Sequence, residues 1–203
     1  MGVRAGVNLA KYKFDFGTSL PASEQPDIKN ATLLTVGIPL EISISKLFAL
    51  QAEVNFIQKG FRFKLSDTGV SIESQQTVNW LEIPILAKVK FGEADGVGGG
   101  LFFGPSIGYG LSGKQKTTSS ITINGKTTTS TDSETLNFKD DEHSRVDVGL
   151  NIGGEVTYHG LFFDARYQLG VTNMVTSSSN NDDIKANTRG LALTVGYRIP
   201  LSK

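Results

Sequence analysis

Apolar residues recur at every second position along almost the whole chain, which restricts it to folds built from β-strands with two different faces. In the first such segment, Val3, Ala5, Val7 and Leu9 alternate with small or polar residues. No long window shows the i, i+3, i+4, i+7 spacing of an amphipathic helix. The alternation predicts strands over residues 3–10, 32–44, 48–56, 80–91, 100–111, 145–156, 161–171 and 191–199. We therefore expect an all-β protein.

The links between the predicted strands are alternately short and long. Short turns are expected at Ser45-Lys46, between Gly92 and Gly98, and at His159-Gly160. Longer polar loops are expected near residues 17–30, 66–76, 112–144 and 174–187. In an up-and-down meander, this order places every short turn at one end and every long loop at the other. Bacterial outer-membrane barrels have this layout, with short periplasmic turns and long extracellular loops. The sequence therefore predicts an eight-stranded antiparallel up-and-down transmembrane β-barrel.

The longest predicted loop, 112–144, has a hairpin signal of its own. Asn124-Gly125 lies between runs rich in threonine and serine, and Asn-Gly favours the tight type I′ turn of a two-residue hairpin. We expect the strands on either side of this loop, 100–111 and 145–156, to continue beyond the membrane as a protruding β-ribbon.

The composition fits one domain, 1–203, and excludes several classes of function. The chain has 20 Lys+Arg and 20 Asp+Glu, so no net charge attracts a nucleic acid. It has no cysteine, which excludes disulfides, thiol nucleophiles and cysteine metal sites. No run of about 18 apolar residues predicts a transmembrane helix. The start, Met1-Gly2-Val3-Arg4, lacks the apolar core of a signal peptide, so we expect an exported chain to have lost its signal.

The two faces of the predicted strands differ enough to indicate which one points inward. One face is apolar and carries aromatic residues near several strand ends, whereas the other combines charged residues with many glycines. A narrow barrel has room only for side chains, and small residues let large ones fit. We expect the polar face to line the lumen and to hold a structural network of compensating charges. Its predicted members are Arg4, Glu41, Glu53, Glu82, Lys88, Arg145, Asp147, Glu155, Asp164, Arg166 and Arg198. A soluble, lipocalin-like ligand-binding barrel, with the apolar face inside, is the alternative.

Several short segments also resemble a known family. The most specific is Leu81-Glu82-Ile83-Pro84-Ile85-Leu86-Ala87-Lys88. The others, in the expected order, are residues 2–8, 53–60, 104–109 and 164–170. Together they are similar to the PorT-like outer-membrane β-barrel family of Bacteroidetes-type bacteria, over nearly the whole chain. The resemblance implies an eight-stranded barrel in the outer membrane, little assigned chemistry, and a founding group associated with protein secretion and gliding machinery. The end, Ile199-Pro200-Leu201-Ser202-Lys203, departs from the family, whose barrels usually stop on an aromatic residue.

Candidate chemical groups are few. The run Asp140-Asp141-Glu142-His143 could bind a divalent metal, although solvated loop charge is the interpretation we favour. The run Asn180-Asn181-Asp182-Asp183 lacks the alternating spacing of a calcium loop. Glu53 and Glu82, both predicted to point inward, could serve as a general acid and base, but charges in a filled lumen more often pair with Arg and Lys. We therefore predict no catalytic, cofactor-binding or metal site.

The predicted function is non-enzymatic. We expect an integral outer-membrane protein that displays extracellular loops for surface or protein interaction, as an accessory to a secretion or envelope complex. The expected partners are outer-membrane lipid and a protein or surface ligand of the loops, without nucleic acid and without a cofactor. A small-molecule transport or pore function is an alternative, disfavoured because eight strands with a charged interior leave no open channel. A hydrolase embedded in the barrel is a further alternative.

Overall fold

The structure is a computed structural model that describes residues 1–15, 28–92, 96–136, 144–174 and 185–199, without the side chain of Asp67. These residues form ten β-strands: β1 (Gly2–Asp15), β2 (Ile28–Lys29), β3 (Ala31–Ser43), β4 (Phe48–Asp67), β5 (Val70–Gly92), β6 (Val97–Ile123), β7 (Lys126–Leu136), β8 (Val146–Tyr158), β9 (Leu161–Gly170) and β10 (Lys185–Arg198). No helix in these ranges is long and apolar enough to cross a membrane.

Eight of these strands close into a ring in which each strand is antiparallel to both neighbours. The order is β1-β3-β4-β5-β6-β8-β9-β10, and β10 pairs with β1 to close the barrel. The closing register runs from Gly2 opposite Arg198 to Asp15 opposite Lys185. Closure removes the free edges that an open sheet would expose. The predicted all-β, eight-stranded, antiparallel up-and-down barrel is therefore confirmed.

The short turns lie at one end of this barrel, together with the ends of β1 and β10 at Gly2 and Arg198. His159 and Gly160 join β8 to β9 with positive φ angles of 47° and 84°, the backbone of a tight I′ turn. Residues 44–47 join β3 to β4, where the Ser45 hydroxyl accepts hydrogen bonds from the Leu47 and Phe48 amides. By the layout of outer-membrane barrels, this is the periplasmic end.

At the opposite end, strands occupy the segment 66–76 and, within 112–144, residues 112–123 and 126–136, all of which the sequence predicts as loops. The predicted loop 66–76 is wrong, because β4 and β5 pair without interruption to a tight turn at Thr68-Gly69, where Gly69 has φ 77°. Within 112–144, β6 continues to Ile123 and turns at Asn124-Gly125, with φ angles of 50° and 76°. The predicted hairpin turn is thus confirmed. Its second strand is the separate β7, not an extension of β8 as we expected.

The upper halves of β4, β5 and β6 therefore form, with β7, a sheet above the barrel, which we call the ribbon; the two-residue β2 pairs with its β4 edge at Arg62 and Phe63. It comprises residues 60–67, 70–77, 113–123 and 126–136. A register shift between Asn79 and Trp80 lies just below it, in the barrel wall. Of the other predicted loops, most of 17–30 and of 174–187 lies outside the described residues.

The apolar face of every barrel strand points outward. Ile38, Val54, Leu101, Ile152 and Val195 each expose half or more of their surface. The periplasmic rim of this face carries Phe48, Phe91, Tyr158 and Tyr197, as expected for an aromatic girdle. The polar face is buried inside. This is the reverse of what the lipocalin-like alternative requires, so that alternative is wrong.

Candidate functional site

Charged side chains fill the lumen in three layers, of which the lowest lies near the periplasmic end. Lys88 donates hydrogen bonds to Glu41, at 2.7 Å, and to Glu155. Arg198 binds both carboxylate oxygens of Glu155 at 2.5 Å. Gln51 accepts hydrogen bonds from Lys88 and Arg198 at 3.3 Å each. Two cations thus share two carboxylates in this layer.

The middle layer is the most deeply buried and joins four strands. Glu53 on β4 accepts hydrogen bonds from Arg4 at 2.8 Å and from Arg166 at 2.8 and 3.0 Å. Asp164 accepts from the same two guanidinium groups, at 3.3 Å from Arg4 and 2.7 Å from Arg166. Arg166 also stacks on Phe102, 4.9 Å from the ring centre. Gln51 donates to Glu53 at 2.5 Å, which links this layer to the one below.

The upper layer centres on Lys59. Its ammonium group lies 2.6 Å from Glu82 and 2.9 Å from Asp147. The Thr188 hydroxyl donates to Asp147 at 2.8 Å, and Gln168 donates to Glu82 at 3.3 Å. One cation therefore holds two carboxylates from β5 and β8, and each carboxylate also accepts a hydrogen bond from a polar side chain of β9 or β10.

Above these layers the lumen becomes apolar, and we call this region the apolar cap. Its buried residues are Tyr12, Ile57, Val78, Trp80, Met174 and Ala186, with Phe14, Phe61 and Leu136 packed against them. The rings of Tyr12 and Phe61 lie 5.2 Å apart, within the range of aromatic contacts. Because Leu136 is the last residue of β7, the cap also ties the base of the ribbon to the barrel mouth.

Glycines make room for these large interior groups. A Cβ atom on Gly153 would lie 2.6 Å from Phe102 Cζ, and one on Gly108 would lie 3.3 Å from Trp80 Cε3. Neither ring could keep its position against a larger residue, since interiors are already close-packed. Gly153 and Gly108 therefore leave the space that the rings of Phe102 and Trp80 occupy.

The structure brings most of the predicted network together, with one difference and one addition. Arg145 lies outside the lumen, because it precedes the first residue of β8; its side chain is exposed and donates to the Tyr109 hydroxyl at 3.3 Å. Lys59, which the sequence reasoning missed, occupies the upper layer instead. The signal for Lys59 was available, since it continues the inward alternation of Glu53, Asn55 and Ile57.

The ribbon carries a second kind of polar surface. On β6 and β7, hydroxyls pair across the strands: Thr118 with Thr131 at 3.3 Å, Ser120 with Thr129 at 3.1 Å, and Thr122 with Thr127 at 2.9 Å. Of the described strands, β7 pairs only with β6, so its outer edge presents backbone N–H and C=O groups. Residues 126–135 are exposed throughout.

Metal-ligating side chains do not gather anywhere in the described ranges, where no three His, Asp or Glu residues are placed to hold an ion. The runs 140–143 and 180–183 lie outside the described residues. His159 forms the periplasmic turn, with its ring 4.3 Å from that of Tyr158.

Known proteins resemble this chain in both sequence and fold. A family model described as "Outer membrane protein beta-barrel domain" matches residues 1–176. No curated protein sequence matches. Neisserial surface protein A is 15% identical, with 98% of this chain and 96% of that chain covered and a TM-score of 0.42. Ail, the attachment invasion locus protein of Yersinia pestis, is 13% identical, with 97% of each chain covered and a TM-score of 0.38. The outer membrane enzyme PagL is 8% identical, with 98% and 100% covered and a TM-score of 0.45. Since the family model spans most of the chain and the fold agrees with it, this protein belongs to the outer-membrane β-barrel domain family and is a protein of the bacterial outer membrane.

Proposed function

We propose that this protein is a non-enzymatic member of the PorT-like group whose ribbon binds a protein or surface partner outside the cell, as an accessory to a secretion or envelope complex. In this proposal, residues 1–203 form a single barrel domain. Its wall anchors the ribbon in the outer membrane, and its lumen serves only to make that wall rigid.

The observation that carries the proposal is the ribbon. Its strand β7 has 11 residues, which corresponds to roughly 35 Å of extended chain beyond the barrel mouth. Its exposed surface is dominated by threonine, serine and charged groups, which contribute little apolar area to any core. A rigid strand edge of this kind suits partner binding, because main-chain hydrogen bonds and neighbouring side chains can act together.

Contacts in the lumen support a structural rather than a catalytic role for the charge network. The acid–base candidates Glu53 and Glu82 are both held by cations, Glu53 by two arginines and Glu82 by Lys59. A carboxylate bound in this way is poorly placed to exchange protons with a substrate. The same contacts disfavour the pore alternative, because they cross the lumen from wall to wall.

The test is to shorten the ribbon without disturbing the barrel. Thr117 and Asp132 are cross-strand partners, so replacing residues 118–131 by Asn-Gly gives a new two-residue hairpin at the same register. The shortened protein should keep its heat-modifiable gel mobility, because Leu136 and the apolar cap remain. A photo-crosslinking side chain at Thr128 should capture a specific extracellular or envelope protein in intact cells.

The control places the same crosslinker at Val195, which faces lipid. Capture of the same protein from both positions, or an unchanged cellular phenotype after shortening, would show that the ribbon is not the binding element.

A further inference from the structure

Basic side chains follow directly above the apolar band on the outer face of β1 and β10. The last apolar pair is Leu9 opposite Leu191. The next outward pair along these strands is Lys11 opposite Arg189, followed by Lys13 opposite Asn187. Successive outward pairs on one face of a sheet are about 7 Å apart, so the first of these cations lie about 7 Å above the last apolar pair.

Lys11 and Arg189 carry like charges at directly opposite positions. Such a pair is destabilising in a sheet unless an anion offsets it. Arg189 is held in place, because one of its nitrogens donates to the Gly170 and Thr188 carbonyl oxygens at 2.5 and 2.8 Å. Lys11 and Lys13 are exposed. Within the described part of the chain, no carboxylate forms an ion pair with any of these three side chains.

Inside the barrel, the residues at this height carry no charge of their own. The inward residues between these positions are Ala10, Tyr12, Ala186 and Thr188, all of them uncharged. The lumenal carboxylate that these residues contact is Asp147, which shares the single ammonium group of Lys59 with Glu82. The next outward residue of β1 is the carboxylate Asp15, opposite Lys185, and it forms no ion pair with Lys11, Lys13 or Arg189. An anion that binds all three side chains therefore has to come from outside the protein.

We propose that Lys11, Lys13 and Arg189 form a binding site for the phosphate group of a phosphorylated glycolipid in the outer leaflet. Arg and Lys are the side chains that best recognise phosphate, Arg through paired N–H donors and Lys as a point charge. Cations at this depth meet the charged head groups of the membrane surface. Leu9 and Leu191, immediately below, contact the acyl chains of the same lipid, and a free phosphate ion would gain nothing from them.

The neighbouring strands delimit the site. On the side of β9, Leu169 is the cross-strand partner of Arg189, and on the side of β3, Thr32 is the partner of Leu9. Neither is charged. At the level of Leu9 and Arg189, the positive charge of the wall is therefore confined to β1 and β10.

The experiment measures unfolding of the full chain in phosphatidylcholine vesicles that contain either bisphosphorylated or dephosphorylated lipid A. Trp80, the one tryptophan of the chain and fully buried, reports unfolding by fluorescence. Bisphosphorylated lipid A should raise the thermal midpoint of the wild-type protein, and dephosphorylated lipid A should not. Equal midpoints with the two lipids would overturn the proposal, and this comparison needs no variant.

Variants then locate the site. The double substitution Lys11→Gln and Lys13→Gln should raise the lipid A content needed for half the stabilisation by about tenfold or more, since it removes two charge-assisted contacts. Arg189→Gln should have a similar effect. The matched control, Lys46→Gln with Lys126→Gln, removes the same charge from the periplasmic turn and the ribbon tip, and should leave the lipid response unchanged. An equal loss in the control would mean that net charge, not a site, attracts the lipid.

A final arm separates the lipid from a soluble ion. Inorganic phosphate at millimolar concentration, added to the protein in detergent, should give no comparable rise in the midpoint. If it stabilises the protein as strongly as lipid A does, the site binds free anions, and the assignment to a membrane lipid is wrong.

Discussion

Glu53, in the middle layer of the lumen, accepts hydrogen bonds from four side chains. Its two carboxylate oxygens accept hydrogen bonds from Arg4, Arg166, Gln51 and Asn55. Replacing both members of a buried ion pair by apolar groups can be nearly neutral, whereas removing one member leaves the other charge uncompensated. Removing the charge of Glu53 would leave two buried guanidinium groups, those of Arg4 and Arg166, with Asp164 as their shared carboxylate.

We predict that Glu53→Gln lowers the free energy of unfolding by about 3–5 kcal/mol, the range for breaking a buried pair from one side. The change is measured by unfolding the protein in lipid vesicles with guanidinium chloride and following the fluorescence of Trp80. The matched control is Glu73→Gln on the ribbon, because Glu73 and Arg62 form a half-exposed pair at 3.4 Å. That control should cost about 0–1 kcal/mol. Equal costs at the two sites would mean that the middle layer is solvated.

The lumenal charges also show how far sequence reasoning reaches for single residues. The inward positions of Glu53, Glu82 and Arg166 follow from the two-residue period alone, because it assigns each side chain of a regular strand to a face. The period fails where the strand stops. Arg145 precedes β8, so its side chain is not fixed to the inward face, and Lys59 lies beyond residue 56, where the predicted strand ended.

At the scale of elements, the strands of the barrel wall could be predicted and the ribbon could not be predicted in full. In the wall, one face of each strand must contact lipid, and every second residue is therefore apolar. Above the membrane no face has to contact lipid, so polar residues such as Gln75 and Lys116 alternate with other polar residues. Strand pairing continues there without an apolar alternation in the sequence. The sequence alone therefore predicts a loop at 66–76.

The lipid-facing assignment of the wall predicts a dependence on depth along one strand. Ile152 lies in the middle of β8 and is 52% exposed on the outer face. Ile152→Arg should destabilise the folded protein by about 2–4 kcal/mol, because it places a charge near the bilayer midplane. Val146, on the same face at the extracellular end of β8, is the control, and Val146→Arg should cost about 0–1 kcal/mol.

Both variants are measured by unfolding in vesicles, and in detergent micelles as a second condition. A similar, small cost at both positions would show that β8 is not embedded in lipid along its length.

At the scale of the whole molecule, two kinds of side-chain packing block the lumen of the barrel. The charge layers connect β4 to β9 through Glu53 and Arg166, β4 to β8 through Lys59 and Asp147, and β5 to β8 through Lys88 and Glu155. Above them, the apolar cap packs aromatic and aliphatic side chains across the mouth. An eight-stranded barrel has an interior only wide enough for side chains, and here those side chains are bonded across it.

This packing predicts that the protein forms no ion-conducting path. In planar bilayers the wild-type protein should show no stable single-channel steps, because an ion would have to separate buried pairs in three successive layers and then pass an apolar cap that offers it no ligands. Heat-modifiable mobility and protease protection of the same preparation must show that the barrel is folded and inserted, and a general porin serves as the conductance standard. The Glu53→Gln variant adds a second measurement. Because it loosens only the middle layer, it should also show no single-channel conductance. Stable steps from the wild-type protein would mean that the layers open as a unit, and would favour transport over ribbon-mediated binding as the function.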